Sequence, residues 1–258
     1  MIHGNGGASS RFQPFLEIVD REGTDYEVML PALPGFEGRP LPPADDYWTS
    51  FLQALEQAVV AAGADGEWIL YGHGIGGSIL LEWAAQDWIM AGRTDWKPKA
   101  VILHSCIGAS LQVRWFPRLM KPKWVRLLIQ RMVHTPLLQP LWERRLFLDP
   151  TAIPAGQRRQ FFQDYARCAA FPVLFDLITV PWYRRVQQRV GHQHFYFLWG
   201  DQERVVASRH LALWQNDFPE STFAVIPDWD HFPMLEQPEA FFQVLSERIV
   251  QSDKIRWQ

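Results

Sequence analysis

Residues 68–84 read WILYGHGIGGSILLEWA, and the fold follows from how this stretch is parsed. Residues 68–71 are apolar and bulky, the pattern of a strand buried on both faces. Gly72, Gly74 and Gly76 then alternate with His73 and Ile75, a spacing that suits a sharp turn rather than the interior of a helix or strand. Residues 79–88 are apolar on almost every side, as a buried helix requires. Strand, glycine turn and helix in that order form half of a βαβ unit.

The same alternation runs outward in both directions. Strands are expected at 26–30 (YEVML), 100–104 (AVILH), 194–199 (HFYFLW) and 221–226 (STFAVI). Helices are expected at 45–62, with Phe51, Leu52, Leu55, Ala58 and Val59 on one face, and at 208–217 and 238–250. Nearly continuous apolar strands alternating with helices predict an α/β fold, a mostly parallel twisted sheet with helices on both faces. Residues 108–189 break the rhythm. They hold no convincing strand and are punctuated by Pro117, Pro122, Pro136, Pro140, Pro150, Pro154, Pro172 and Pro181, which reads as a helical insertion. The expected division is a core of 1–107 and 190–258 and an inserted segment of 108–189.

Length and composition narrow the function classes. A chain of 258 residues can bury a large core. A net charge of −3 does not favour nucleic-acid binding by the whole chain. Cys106 and Cys168 cannot make a disulfide framework, which fits a reducing compartment. No apolar run approaches the roughly 18 residues of a membrane span, and the first residues carry no secretory pattern. A soluble, cytoplasmic protein is the expectation. No residue pattern calls for a metal or an organic cofactor.

Four pieces of sequence, in order, resemble the α/β-hydrolase superfamily. His3-Gly4-Asn5-Gly6-Gly7 is similar to the HG-x-x-G loop after the family's third strand, and Leu33-Pro34-Gly35-Phe36-Glu37-Gly38 to the loop after the next strand. The turn at Gly72–Gly76 resembles the G-x-S-x-G nucleophile elbow. Gly200-Asp201-Gln202-Glu203-Arg204-Val205-Val206 and Asp230-His231-Phe232-Pro233 resemble the acid and histidine loops, in the nucleophile–acid–histidine order. Each motif alone is weak; four in register cover nearly the whole chain. The resemblance implies a lipase- or esterase-like fold with 108–189 as a helical cap, and a chain that begins almost on the oxyanion loop, without the family's first strands. It implies His231 as general base, Glu203 as the acid that orients it, with Asp201 as the nearby competitor, and the backbone N–H groups of Asn5 and Ile75 as an oxyanion hole. His3, Gly4, His73, Trp115 and Phe232 are expected to line the substrate site.

The departure lies at the elbow's centre, where Gly74 stands in place of the family's serine. Glycine adopts the strained backbone of such a turn freely, so the exchange keeps the turn and removes the nucleophile. Ser78, Ser105 and Cys106 are the candidate substitutes. A water activated by His231, or proton transfer with no covalent step, are further routes. The expectation is a protein built for hydrolysis of a hydrophobic ester or related acyl substrate but lacking its nucleophile. The alternatives are a non-catalytic ligand-binding or membrane-associated relative and a histidine-based lyase or proton-transfer enzyme.

Residues 112–145 carry eight Lys or Arg against one acid, Glu143, in a chain of net charge −3. Trp115, Phe116, Leu119, Trp124, Leu127, Leu128 and Trp142 are interleaved with them. A basic amphipathic segment suits the surface of a membrane; the simpler reading is a solvated arginine face with the aromatics packed on the sheet. The expected partners are a hydrophobic small molecule or lipid-like ligand and, through 112–145, a membrane surface.

Overall fold

A computed structural model of the chain describes residues 1–63, 68–86 and 98–246. Its sheet has four parallel strands in sequence order: β1 (Ile69–His73), β2 (Ala100–His104), β3 (Tyr196–Gly200) and β4 (Thr222–Ile226). Ile69 pairs with Ala100, Ile102 with Tyr196, and Tyr196 with Thr222, so the strands share one register across the sheet. Beyond β1, Ile2 forms a single parallel bridge to Gly72, donating to the Tyr71 carbonyl at 2.8 Å and accepting from the His73 N–H at 2.9 Å.

Alternate residues of a strand face opposite sides of a sheet, and β1 shows both. Tyr71 packs against Phe12 and Phe241, and so faces α1 (Gln13–Arg21) and α12 (Pro238–Leu245). Gly72 faces α3 (Ile75–Ala85), which packs in turn against α2 (Tyr47–Ala61) and α9 (Val180–Val190). A Cβ on Gly76 would lie 2.4 Å from the Ile2 carbonyl oxygen, so α3 can approach the sheet this closely only because that residue has no side chain.

The segment expected as a strand at 26–30 forms no strand. The Met1 amine reaches it, donating to the Met29 carbonyl at 2.6 Å. The physical reason is separation: an apolar groove of about 570 Å³, walled by Val28, Leu55, Val59, Trp68, Leu70 and Phe242, lies between it and β1. The expected helix over 79–88 starts earlier, at Ile75, and its last expected residues lie outside the described part, as do 247–250 of the final helix. Helix α1 was not signalled by the sequence reading.

Between β2 and β3 the described chain holds only helices: α4 (Phe116–Leu119), α5 (Lys123–Val133), α6 (Gln139–Leu146), α7 (Ala155–Ala166), α8 (Leu174–Leu177) and α9, with short 3-10 turns. Two further helices complete the core, α10 (Leu211–Asp217) before β4 and α11 (Pro233–Glu236) after it. Among the described residues no helix is long and apolar enough to cross a membrane.

Candidate active site

Every expected catalytic position falls at the C-terminal end of a strand or in the loop that follows, the edge where open parallel sheets place their ligands. Gly74 follows β1 with φ 55° and ψ −114°, held by its N–H donating to the His104 carbonyl at 2.8 Å. Glu203 lies just past β3, and His231 in the loop after β4.

His231 and Glu203 meet directly. Nδ1–H of His231 donates to Oε2 of Glu203 at 2.7 Å. An ionised carboxylate only accepts, so this bond fixes the imidazole tautomer and leaves Nε2 as the free, basic nitrogen. That nitrogen lies 4.0 Å from where a Cβ on Gly74 would stand. The Glu203 carboxylate is saturated with donors. The N–H groups of Val205 and Val206 reach Oε1 at 2.7 and 2.8 Å, and the Ser105 hydroxyl reaches Oε2 at 2.5 Å. Burial opposes its charge, but His231, Ser105 and the Val206 N–H prevail and hold its pKa at about 2. Asp201, the competitor, instead accepts from the Asp228 N–H at 2.8 Å in an exposed loop.

The histidine loop is braced from outside. Asp230 takes the His231 N–H at 2.8 Å and the Arg204 N–H at 3.0 Å, and pairs with the Arg204 side chain. From inside, Nε2–H of His73 donates to the His231 carbonyl at 2.8 Å. His73 is buried, and burial together with the neighbouring His231 and His104 holds it neutral, its pKa well below the usual value. His73 therefore supports His231 rather than facing a ligand. Phe232 lies edge-on to the His231 ring with centroids 4.6 Å apart, and Phe147 and Phe161 close over it at 5.7 and 5.0 Å.

The loop at His3–Gly7 approaches from the other side. A Cβ on Gly74 would be 3.7 Å from Gly4 Cα, which puts this loop against the elbow. Among the described residues the backbone N–H groups of Asn5 and Ile75 have no acceptor. Ile75 opens α3, where the helix's free amides favour negative charge. The Asn5 side chain turns back on its own loop, its Oδ1 accepting the Gly6 N–H at 2.9 Å. His3 is buried, edge-on to Phe36 at 4.8 Å, and burial lowers its pKa to about 4. It is part of the loop's packing.

The structure also gives Arg11, which sequence reasoning did not assign, and Ser105, expected only as a substitute nucleophile, roles in supporting the site. Buried Arg11 donates to the Gly6 carbonyl at 2.9 Å and stacks over Phe161 at 4.3 Å, tying the loop to α7. Ser105 sits at φ 45°, unusual for a residue with a Cβ, and spends its hydroxyl on Glu203. The other candidate nucleophiles face away. Ser78 donates to the Ile107 carbonyl at 2.7 Å, and Cys106 lies against α3 at Gly77, its thiol pKa pushed up by burial. Trp115 is not brought to the site: it is 71% exposed, with its ring against Phe116. Among the described residues no group of three His, Cys, Asp or Glu side chains is placed to hold a metal.

A family model described as the alpha/beta hydrolase family matches residues 1–244. No curated protein matches the sequence. Among solved structures, the epoxide hydrolase VrEH1 of Vigna radiata superposes with a TM-score of 0.71 at 14% identity, covering 97% of this chain and 90% of that one. A lipase candidate, lip1, of Acinetobacter baumannii AYE gives 0.70 at 19%, covering 97% and 82%. A carboxylesterase structure from Nitrososphaera gargenis gives 0.67 at 17%, covering 96% and 88%.

Proposed function

This chain belongs to the α/β-hydrolase family, and from that premise we propose that it carries an ester-hydrolase site complete except for its nucleophile. The observation that carries the reading is the aim of His231 Nε2. With Nδ1 on Glu203, its free nitrogen points to the place where a side chain at position 74 would begin, 4.0 Å away. The two open N–H groups of Asn5 and Ile75 complement an oxyanion beside the same point.

In such a site a hydroxyl at position 74 would pass its proton to Nε2 and attack the acyl carbon. The oxyanion would rest on the two N–H groups, and Glu203 would stabilise the imidazolium. Glycine offers no hydroxyl, so an acyl substrate meets the base and the anion cradle without a covalent partner. Phe232 packs edge-on against His231 and is itself packed by the buried Phe147 and Phe161, so the base has apolar surroundings, which favours a hydrophobic acyl or ester ligand. The segment between β2 and β3 contributes Phe147 and Phe161 to this packing, which supports reading it as the cap.

Turnover of short-chain p-nitrophenyl esters tests the reading. The chain with Gly74 is expected to keep no more than the residual rate of a site without its nucleophile, roughly 10³–10⁴ over water, and Gly74→Ser to exceed that by about a hundredfold or more. The non-catalytic reading is favoured by the same absence of a hydroxyl. It predicts saturable binding of an uncharged acyl ester that Gly74→Ser leaves without turnover.

A further inference from the structure

The segment that joins β2 to β3 turns an unusual face to solvent. On α5, Val125, Ile129 and Val133 point inward, whereas Trp124, Leu127, Leu128 and Met132 point outward and are 67%, 48%, 49% and 37% exposed. Spacing at i, i+3 and i+4 places Trp124, Leu127 and Leu128 on one stripe. The neighbouring turn and α6 repeat the pattern with Leu137 and Leu141, 89% and 64% exposed, and Trp115 stands out before α4. A helix that buries one apolar stripe normally turns a polar face to water. Here the outward face is apolar as well, so the aromatics of this segment do not all pack onto the sheet.

The cations on this face keep their charge uncompensated, although Arg118 and Arg145 each donate to a backbone carbonyl, of Gln112 and of Arg204. Arg118, Lys121, Lys123, Arg131, Arg144 and Arg145 are exposed, and among the described residues none of them pairs with a carboxylate. The segment's one acid, Glu143, is taken by Arg158 at 3.3 Å, and the buried Arg126 is neutralised by Asp176. The face therefore combines exposed tryptophan and leucine with unpaired positive charge. Tryptophan and leucine have no use for a phosphate backbone read by charge alone, and an apolar partner protein gives no use to six unpaired cations. An anionic bilayer surface uses both, taking the apolar side chains at the headgroup–acyl boundary and the cations at the phosphates.

We propose that the outer face of residues 113–145 docks on an anionic lipid surface, with Trp115, Trp124, Leu128, Leu137 and Leu141 as apolar anchors and Lys121, Lys123 and Arg131 among the charged contacts. This docking does not depend on whether the site at His231 turns over an ester.

Co-sedimentation of the full chain with vesicles tests it. Binding to phosphatidylcholine vesicles containing phosphatidylglycerol is expected to exceed binding to pure phosphatidylcholine by about tenfold or more at low salt, and to weaken steeply as salt rises. Trp124→Ser with Leu128→Ser is expected to weaken it about tenfold, and Lys121→Glu with Lys123→Glu and Arg131→Glu to abolish it, with both variants keeping the parent's circular dichroism and melting temperature because every substituted side chain is exposed. The proposal is overturned if the parent ignores anionic vesicles at low salt or if neither variant changes its binding. It is equally overturned if the parent is a stable dimer that the Trp124/Leu128 variant dissociates, since the face would then belong to a second copy.

Discussion

At the scale of single residues, Gly74 decides the chemistry and its backbone carries the cost. The residue sits at φ 55°, where a side chain is strained but glycine is not. There is room for a side chain, because the nearest atoms to an added Cβ are at 3.7 and 4.0 Å. Gly74→Ser is therefore expected to lower stability by about 1–3 kcal/mol through backbone strain alone, read as a reduced urea midpoint with an unchanged m-value. A larger loss would mean that the site does not accommodate the hydroxyl. The sequence pointed to His231, Glu203 and Gly74 because each sits in a loop motif of fixed spacing. It left Asp201 and Glu203 both open, since two carboxylates two residues apart look alike until the loop's turn sends one outward. Ser105 and Arg11 carry no motif; their roles come from contacts with residues 98 and 5 positions away, Glu203 and Gly6.

At the scale of elements, the elbow works as a packing joint between β1, α3 and the chain at Ile2. Gly76→Ala would place a methyl group 2.4 Å from the Ile2 carbonyl oxygen and must either lift α3 or break the bridge to Gly72. The expected loss is about 1–3 kcal/mol in urea unfolding, the usual cost of overpacking. Unchanged stability would show that this approach is looser than described. β1, β2 and β3 were legible because a parallel strand covered on both faces is a run of apolar residues whichever way it faces, and the edge strand β4, though half-open to solvent, keeps an apolar run as well. The 26–30 segment was misread because YEVML has strand composition, while pairing depends on a neighbour within hydrogen-bond reach that composition cannot report. Helix α1 escaped because it is short, nine residues, with its apolar Phe15, Ile18 and Val19 diluted by Glu17, Asp20 and Arg21.

At the scale of the whole molecule, the site is held by a buried set of neutral histidines, and this makes the fold acid-sensitive. Burial first, and neighbouring charge second, lower His3 to about 4 and His104 to about 3, and His73 well below its usual value of 6.5. The unfolded chain takes up these protons first, so the stability they protect is full above pH 6.5 and is lost as pH falls below it. Each such group contributes a slope of about 1.4 kcal/mol per pH unit within its window. Glu236, raised to about 7 chiefly by burial, acts in the opposite sense between its usual 4.5 and that value. Urea unfolding between pH 6 and pH 4.5 is expected to show stability falling with a slope that His104→Asn makes shallower by about 1.4 kcal/mol per unit. A flat profile over that range would contradict the buried, neutral state of these rings.

On the proposed reading, a base, an acid and an anion cradle surround a position lacking only a hydroxyl. An alkyl fluorophosphonate tests this most directly, since it labels a serine by forming an O–P bond with loss of fluoride, and only where a base and an oxyanion hole are both in place. Intact-mass measurement is predicted to show no adduct on the chain with Gly74, one adduct on Gly74→Ser, and none on Gly74→Ser with His231→Ala. Labelling of the Gly74 chain, or a Gly74→Ser variant that folds but takes up no label, would contradict the account.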